Sequence, residues 1–257
     1  MNTSKIPKKI FQTWKTSSIS ENLHLITDTW KINNPDYEYF LYDDNMCRNF
    51  IAESFNKEVL DAYDKIKVAA YKADLWRYCI LYKYGGFYAD IDTLCMGKID
   101  DFTSKNIDYI VPVDLNNGEG KHCLFNSFIG TVPKNPMLLQ CIMQIVYNIN
   151  HDVIPVFNLD ISGPGLLGQK TNIYLGLPPF ESFIGREGII NIPSNDFKNT
   201  LKTTHFLHFN QGTEYVTDEN NNILFQNKNG NLTIKNAYIQ ECEKNKIDFE
   251  WGQIKPY

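Results

Sequence analysis

A basic surplus is missing from this chain. Its 257 residues carry 25 Lys and Arg against 30 Asp and Glu, a formal net charge of −5. A general phosphate-backbone binder needs the opposite balance, so no nucleic-acid partner is expected, although a local basic pocket remains allowed. Paired cysteine spacing is missing as well. Cys47, Cys79, Cys95, Cys123, Cys141 and Cys242 form no CxxC pair and no zinc-ligand spacing. Several lie in apolar runs, where a thiol acts as a small hydrophobe, and free thiols in a reducing compartment follow. The opening MNTSKIPKKIFQTW has no apolar stretch long enough for a signal peptide or anchor. No transmembrane segment is expected, and a cytoplasmic protein of bacterial or viral kind is the simplest reading. The sequons at Asn2 and Asn231 then read as chance matches in an Asn-rich chain. No internal repeat or low-complexity linker breaks the sequence.

What is present is core material, with 43% hydrophobic residues and 15 Tyr, 16 Phe and 4 Trp. KIFQTW (9–14) and the alternating YEYFLYDD (37–44) read as strands around a helical stretch at 21–32. NMCRNFIAESF and NKEVLDAYDKI read as two helices. KVAAYKADLWRYCILYKY (67–84) reads as a third and stops at Gly85-Gly86, a credible helix end. FYADI, DYIVPVD (108–114) and LFNSFIGTV (124–132) follow as strands, with a helix from about 135 to 149. The order predicts an α/β fold whose sheet is covered by helices on both faces. The last hundred residues read as an irregular half, with a Gly-Pro turn in SGPGLLG (162–168) and a hairpin over NILFQNKNGNLTI (222–234).

The chemistry centres on GGFYADIDTL (85–94). Asp90 and Asp92 are alternate residues at a strand end, where two carboxylates converge on one ion or simply build an Asp-rich turn. Hard divalent cations take carboxylate and phosphate oxygens, and open α/β sheets bind ligands at strand carboxyl ends. Asp74 and Arg77, three residues apart, share one face of the preceding helix among apolar neighbours. A charged pair in such surroundings forms an internal salt bridge or serves a ligand.

AAYKADLWRYCILYKYGGFYADID closely resembles the signature of glycosyltransferase family 32, the DXD sugar-binding region, whose block is similar in the clostridial glucosylating toxins. The matching positions are Ala73-Asp74, Arg77, Leu81-Tyr82, Gly85-Gly86, Tyr88, Asp90 and Asp92. IPKKIFQTW (6–14), NPDYEYFLYDD, FNSFIGTVPKNPML (125–138), SGPGLL and LHFNQGTEY extend the likeness, which is tight from 67 to 100. It departs at Thr213 and Glu214, where the family has Ser and Trp.

The resemblance implies a GT-A fold with a Rossmann-like nucleotide half. Residues 1–257 would form a single domain, with a nucleotide-sugar-binding half at about 1–115 and an acceptor-side half at about 116–257. It implies a retaining, Mn²⁺- or Mg²⁺-dependent transfer of a hexose from a UDP- or GDP-sugar to a glycan or carrier, as in glycan biosynthesis. Asp92 is then the first metal ligand, and Asp90 reaches the metal's shell and sugar or ribose hydroxyls. His208 completes the site, with His205 its rival and Gly212 the matching residue downstream. Asp74 and Arg77 hold the donor sugar, with Tyr88 and Asn126 beside it, and Gln12 and Trp14 flank the nucleobase. Asn126 and Gly163-Pro164-Gly165 also shape the acceptor side. No carboxylate declares itself as a nucleophile, which favours front-face substitution. Two other classes compete: a haloacid-dehalogenase-like phosphatase with Asp90 as nucleophile, and a nucleotide-sugar-binding protein without turnover.

Overall fold

The computed structural model describes residues 5–103, 106–114, 120–191, 203–210, 214–228 and 231–246. The chain opens with β1 (Lys9–Thr13), α1 (Glu21–Asn33), β2 (Glu38–Tyr42), α2 (Asp44–Ser54) and α3 (Lys57–Lys65). Each of these helices starts where a short polar side chain can satisfy a first-turn amide. Ser20, Asp43 and Asn56 accept from the backbone N–H of Leu23, Met46 and Val59. The next helix, α4 (Ala69–Tyr84), has no side-chain cap, and Leu75 to Leu81 are all buried. Seven consecutive buried residues take in every side of a helix, so this stretch of α4 lies in the interior.

It ends at Gly85 and Gly86, with φ of 65° and 96°. A Cβ on Gly85 would stand 2.7 Å from the Pro133 nitrogen, and one on Gly86 2.7 Å from the Lys9 carbonyl oxygen. Only glycine turns the chain directly from α4 into β3 (Gly86–Ala89) here. There follow β4 (Leu94–Cys95), α5 (Ile99–Thr103), β5 (Tyr109–Val113), β6 (Phe128–Thr131) and α6 (Pro136–Asn150). The remainder holds a 3-10 turn (Asn158–Asp160), α7 (Pro164–Tyr174), β7 (Gly188–Asn191), β8 (Thr203–Asn210), β9 (Tyr215–Thr217), β10 (Ile223–Gln226) and α8 (Leu232–Asn245).

All ten strands join one sheet in the order β2-β1-β3-β6-β5-β8-β9-β10-β4, with β7 also on β8. β2, β1 and β3 run parallel, as do β5 and β8; the other pairs are antiparallel. Successive side chains separate two cores. Phe11, Tyr88, Tyr109, Val111, Ile129 and Phe206 face α2, α3, α4, α6 and α7. Ile10, Phe87, Ile110, Phe128 and Leu207 face Trp30 of α1, Phe102 of α5 and the β9–β10 ribbon. Both faces are covered, as expected, which is why the central strands carry apolar residues at nearly every position.

Three local expectations are corrected. Residues 222–234 are not a hairpin: β10 pairs antiparallel with β9, and α8 begins at Leu232. The hairpin turn lies at Asp218–Asn222, whose side chain at Asp218 accepts from the amides of Asn220 and Asn222. The Gly-Pro turn of SGPGLLG is a helix start, with Gly163 as N-cap and Pro164 in the first turn of α7, where proline loses no hydrogen bond. The strand at 124–132 shortens to Phe128–Thr131, with Leu124 in one isolated bridge to Val113.

Candidate functional site

The sheet itself gathers the predicted residues. β1 and β3 are parallel, so Thr13–Trp14 and Asp90 leave from the same edge; β6 is antiparallel to β3 and delivers Asn126 and Ser127 there. The Asp90 backbone is fixed from both neighbours. Its N–H donates to the Ser127 carbonyl at 2.9 Å, and its carbonyl accepts from Gln12 Nε2 at 3.0 Å. Gln12 is in turn oriented by Tyr39, whose hydroxyl donates to Oε1 at 2.6 Å. Thr93 N–H donates back to the Asp90 carbonyl, so the DXD run is also a tight turn. The turn and the carboxylate site are one feature.

α4 lies beneath this turn and supplies the charge network. Arg77, 4% exposed, places its Nη2 3.0 Å from Asp90 Oδ1 and 3.3 Å from Asp74 Oδ1. Its Nη1 donates to the Asn126 carbonyl at 2.6 Å, and its guanidinium lies 4.4 Å from the centre of the Tyr88 ring. Tyr88 donates its hydroxyl to Asp90 Oδ1 at 2.6 Å. Burial works against the charge on Arg77, but Asp90, Tyr88 and Asp74 outweigh it and raise the pKa, so Arg77 stays protonated.

Asp74 is placed deeper, with no exposed surface. Besides Arg77, its Oδ1 accepts from Asn126 Nδ2 at 2.8 Å and its Oδ2 from Ser162 Oγ at 2.7 Å. Burial pushes its carboxyl up, and Arg77 is the largest influence opposing that. Ser162, and Tyr78 within 3.2 Å of Asn126 Nδ2, were not foreseen. Tyr78 was within reach, since it sits one turn after Asp74 on the same helix face; nothing local marks Ser162.

Arg77, Tyr88, Asp90, Asp92 and Trp14 line a cavity of about 470 Å³, together with Lys15, Lys67, Lys72, Lys228 and Lys246. The lysines give a chain of negative net charge a local basic pocket. Asp92 is 6% exposed and its Oδ2 is paired with the Lys228 ammonium, which also stands 4.5 Å from the centre of the Tyr238 ring. Tyr238 meets Trp14 edge-on at 5.6 Å. Trp14 is only 7% exposed, and its Nε1–H has no hydrogen-bond partner among the described residues.

Asp90 Oδ2 and Asp92 Oδ1 accept no hydrogen bond from the described residues. Each aspartate thus keeps one oxygen for a cation. Among the described residues no group of three or more His, Cys, Asp or Glu side chains could hold a metal ion. Magnesium-type cations need no such cage, because one or two carboxylates plus phosphate oxygens suffice. The donor set fits an ion that arrives with a diphosphate. His208 does not line this cavity; it is exposed on β8, with Nδ1 3.7 Å from Glu187. His205 is buried on the same strand. Gly212 and Thr213 lie outside the described residues, while Glu214, at φ 49°, precedes β9. Gly163-Pro164-Gly165 caps α7, where a Cβ on Gly163 would stand 3.5 Å from Asp74 Oδ2.

Comparison with known proteins bears on the family and the fold. Residues 20–108, from the N-cap of α1 to the residue before β5, match the family model described as a glycosyltransferase sugar-binding region containing a DXD motif. That segment therefore carries the DXD glycosyltransferase region read from the sequence. The chain is 30% identical over 227 residues to inositol phosphoceramide mannosyltransferase 2 of Schizosaccharomyces pombe, covering 87% of this chain and 62% of that protein. Inositol phosphoceramide mannosyltransferase 3 of the same organism is 35% identical over 184 residues, 70% of this chain and 49% of that protein. The chain thus spans between about half and two-thirds of these relatives. Among solved structures, the PaToxG glycosyltransferase superposes with a TM-score of 0.54 at 18% identity, over 66% of this chain and 70% of that one. The fold is of the GT-A type. No described helix is long and apolar enough to cross a membrane.

Proposed function

We propose that this chain is a metal-dependent, retaining glycosyltransferase that moves a hexose from a nucleotide-sugar donor to a hydroxyl of a glycan or carrier. Mannose is the favoured sugar, because the relatives named above are mannosyltransferases. The observation that carries the proposal is the meeting of Asp90, Asp92, Arg77 and Tyr88 in one cavity at the carboxyl ends of parallel β1 and β3, where open α/β sheets take nucleotides.

In this reading the leaving group is a nucleoside diphosphate. Asp92 and Asp90, through the oxygens left free by the described residues, would hold a divalent ion, Mn²⁺ or Mg²⁺, which would supply Lewis-acid stabilisation to the diphosphate. Arg77 faces the donor sugar and donates to its hydroxyls. Asp74, fully buried and with both oxygens engaged, serves as a positioning residue that keeps Arg77 in place. Tyr88 and Gln12 fix the Asp90 side chain and backbone, Asn126 braces Arg77, and Trp14 borders the base. Such positioning supplies a large share of rate enhancement. No unpaired carboxylate stands against the sugar as a nucleophile among these residues, which favours front-face attack by the acceptor. The six buried free cysteines support a reducing, cytoplasmic setting. The sheet pairing of β5 with β8 supports a single domain built from a donor half (about 1–115) and an acceptor half (about 116–257).

A panel of UDP- and GDP-hexoses, incubated with the protein and Mn²⁺ and read as nucleotide release, tests the proposal. A mannose donor is expected to be hydrolysed slowly, with chelator abolishing release. Binding without release under every donor and acceptor would instead identify a sugar-binding protein.

A further inference from the structure

One side chain at the site has no role in the scheme above. Lys228 lies two residues beyond β10, and Asp92 two residues before β4. Gln226 of β10 pairs antiparallel with Leu94 of β4, and that register brings the Lys228 ammonium to Asp92 Oδ2, across 136 residues of sequence. The contact is sheltered, with side-chain exposures of 29% for Lys228 and 8% for Asp92. The centre of the Tyr238 ring lies 4.5 Å from the same ammonium. Resting on the metal reading above, we propose that Lys228 is the resident cation of the DXD site. It occupies Asp92 while the donor is absent, gives that carboxylate up when a metal–diphosphate complex enters, and then binds the diphosphate itself.

Charge and geometry both lead there. A carboxylate as enclosed as Asp92 is costly without a counter-charge, and Lys228 provides it. A single ammonium on one oxygen blocks a metal only in part, since Asp92 Oδ1 and Asp90 Oδ2 stay open. A metal ion on Asp92 Oδ1 is repelled by the ammonium on the other oxygen of the same carboxylate, so its apparent affinity falls by the fraction of time that Lys228 leaves Asp92. A diphosphate changes the balance, because it offers the displaced ammonium an anionic partner within the same cavity, beside Lys15, Lys67 and Lys72. No covalent bond forms or breaks; one cation is exchanged for another at Asp92 and the lysine keeps its proton. The consequence is that metal and nucleotide load together.

Manganese binding to the full chain, read from the electron-paramagnetic-resonance signal of free Mn²⁺, tests this without any turnover. In the absence of nucleotide, Lys228→Gln is expected to bind Mn²⁺ roughly tenfold more tightly than the wild type. Lys228→Arg, which keeps a charge, should stay within about threefold of the wild type. With UDP or GDP present the order should reverse for the nucleotide, whose affinity falls in Lys228→Gln. Unchanged or weaker Mn²⁺ binding by Lys228→Gln without nucleotide overturns the inference; Lys228→Met reads the same quantity should the Gln variant not fold. Asp92→Asn separates the two levels. If it weakens Mn²⁺ binding while Lys228→Gln does nothing, only the role of Lys228 fails. If Asp92→Asn leaves Mn²⁺ binding intact, the metal assignment fails and this inference with it.

Discussion

At the scale of single residues, the site divides into groups that face the cavity and groups that hold them. Asp92 belongs to the first. Asp92→Asn keeps the shape of the turn but removes the charge, and donor turnover with Mn²⁺ should fall by roughly a thousandfold, the equivalent of about 4 kcal/mol. Nucleotide release checks this, with circular dichroism to show that the fold survives. Asp74 belongs to the second. Asp74→Ala leaves Arg77 buried with Asp90 as its remaining carboxylate, and should cost about 3 kcal/mol, the low end for a broken buried pair, measured by urea unfolding. Asp114, just past β5, gives a pH signature. Burial, with Glu214 adding repulsion, raises its carboxyl from 3.8 to about 6. Between those values the unfolded chain releases this proton while the native protein keeps it, so stability falls as pH rises from about 4 to 6 and levels off above. In Asp114→Asn this component of the pH dependence of the unfolding midpoint should vanish. The pairing of Asp74 with Arg77 was legible from their spacing on one helix. Whether they faced a ligand or each other was not, because spacing fixes a shared face and not what lies opposite.

At the scale of elements, patterns repeated over many residues were the readable ones. α4 and its glycine stop, the strands β1, β2, β3 and β5, and helix α6 all stand where composition put them. The failures share a cause. Asn-Gly at 229–230 is a hairpin signal, but the residues after it form α8, whose Tyr238 and Cys242 pack with Trp14 and Ile91; tertiary burial overrode a local turn preference. Gly-Pro at 163–164 suited a turn equally well, and became the start of α7 because that helix has a backbone to pack on. Gly168 shows how closely: a Cβ there would lie 1.6 Å from the His122 carbonyl oxygen. Gly168→Ala must push α7 off the 120–124 segment, and a loss of about 1–3 kcal/mol is expected from such overpacking. A lowered thermal midpoint would register it, and an unchanged one would contradict the close approach.

At the scale of the whole molecule, the site depends on strands from both ends of the chain. β5, with Tyr109 to Val113 all buried, is flanked by β6 and β8. A fragment of residues 1–191 would leave the β8 side of that apolar strand open, a template for edge-to-edge pairing. It is expected to aggregate on size-exclusion chromatography while the full chain elutes as a discrete species. The sequence by itself determined the α/β class, the buried α4 with Asp74 and Arg77 on one face, and the placement of Asp90 and Asp92 at the end of a strand. Those follow from periodicity and from glycine's freedom at positive φ, which act within a few residues. Only the tertiary structure decided that Asp74 lies wholly inside, that His208 is exposed on β8 and does not line the cavity, and that Lys228 reaches Asp92 from 136 residues away. These are matters of which distant segments share a sheet, and the burial that settles them is a property of the assembled layers.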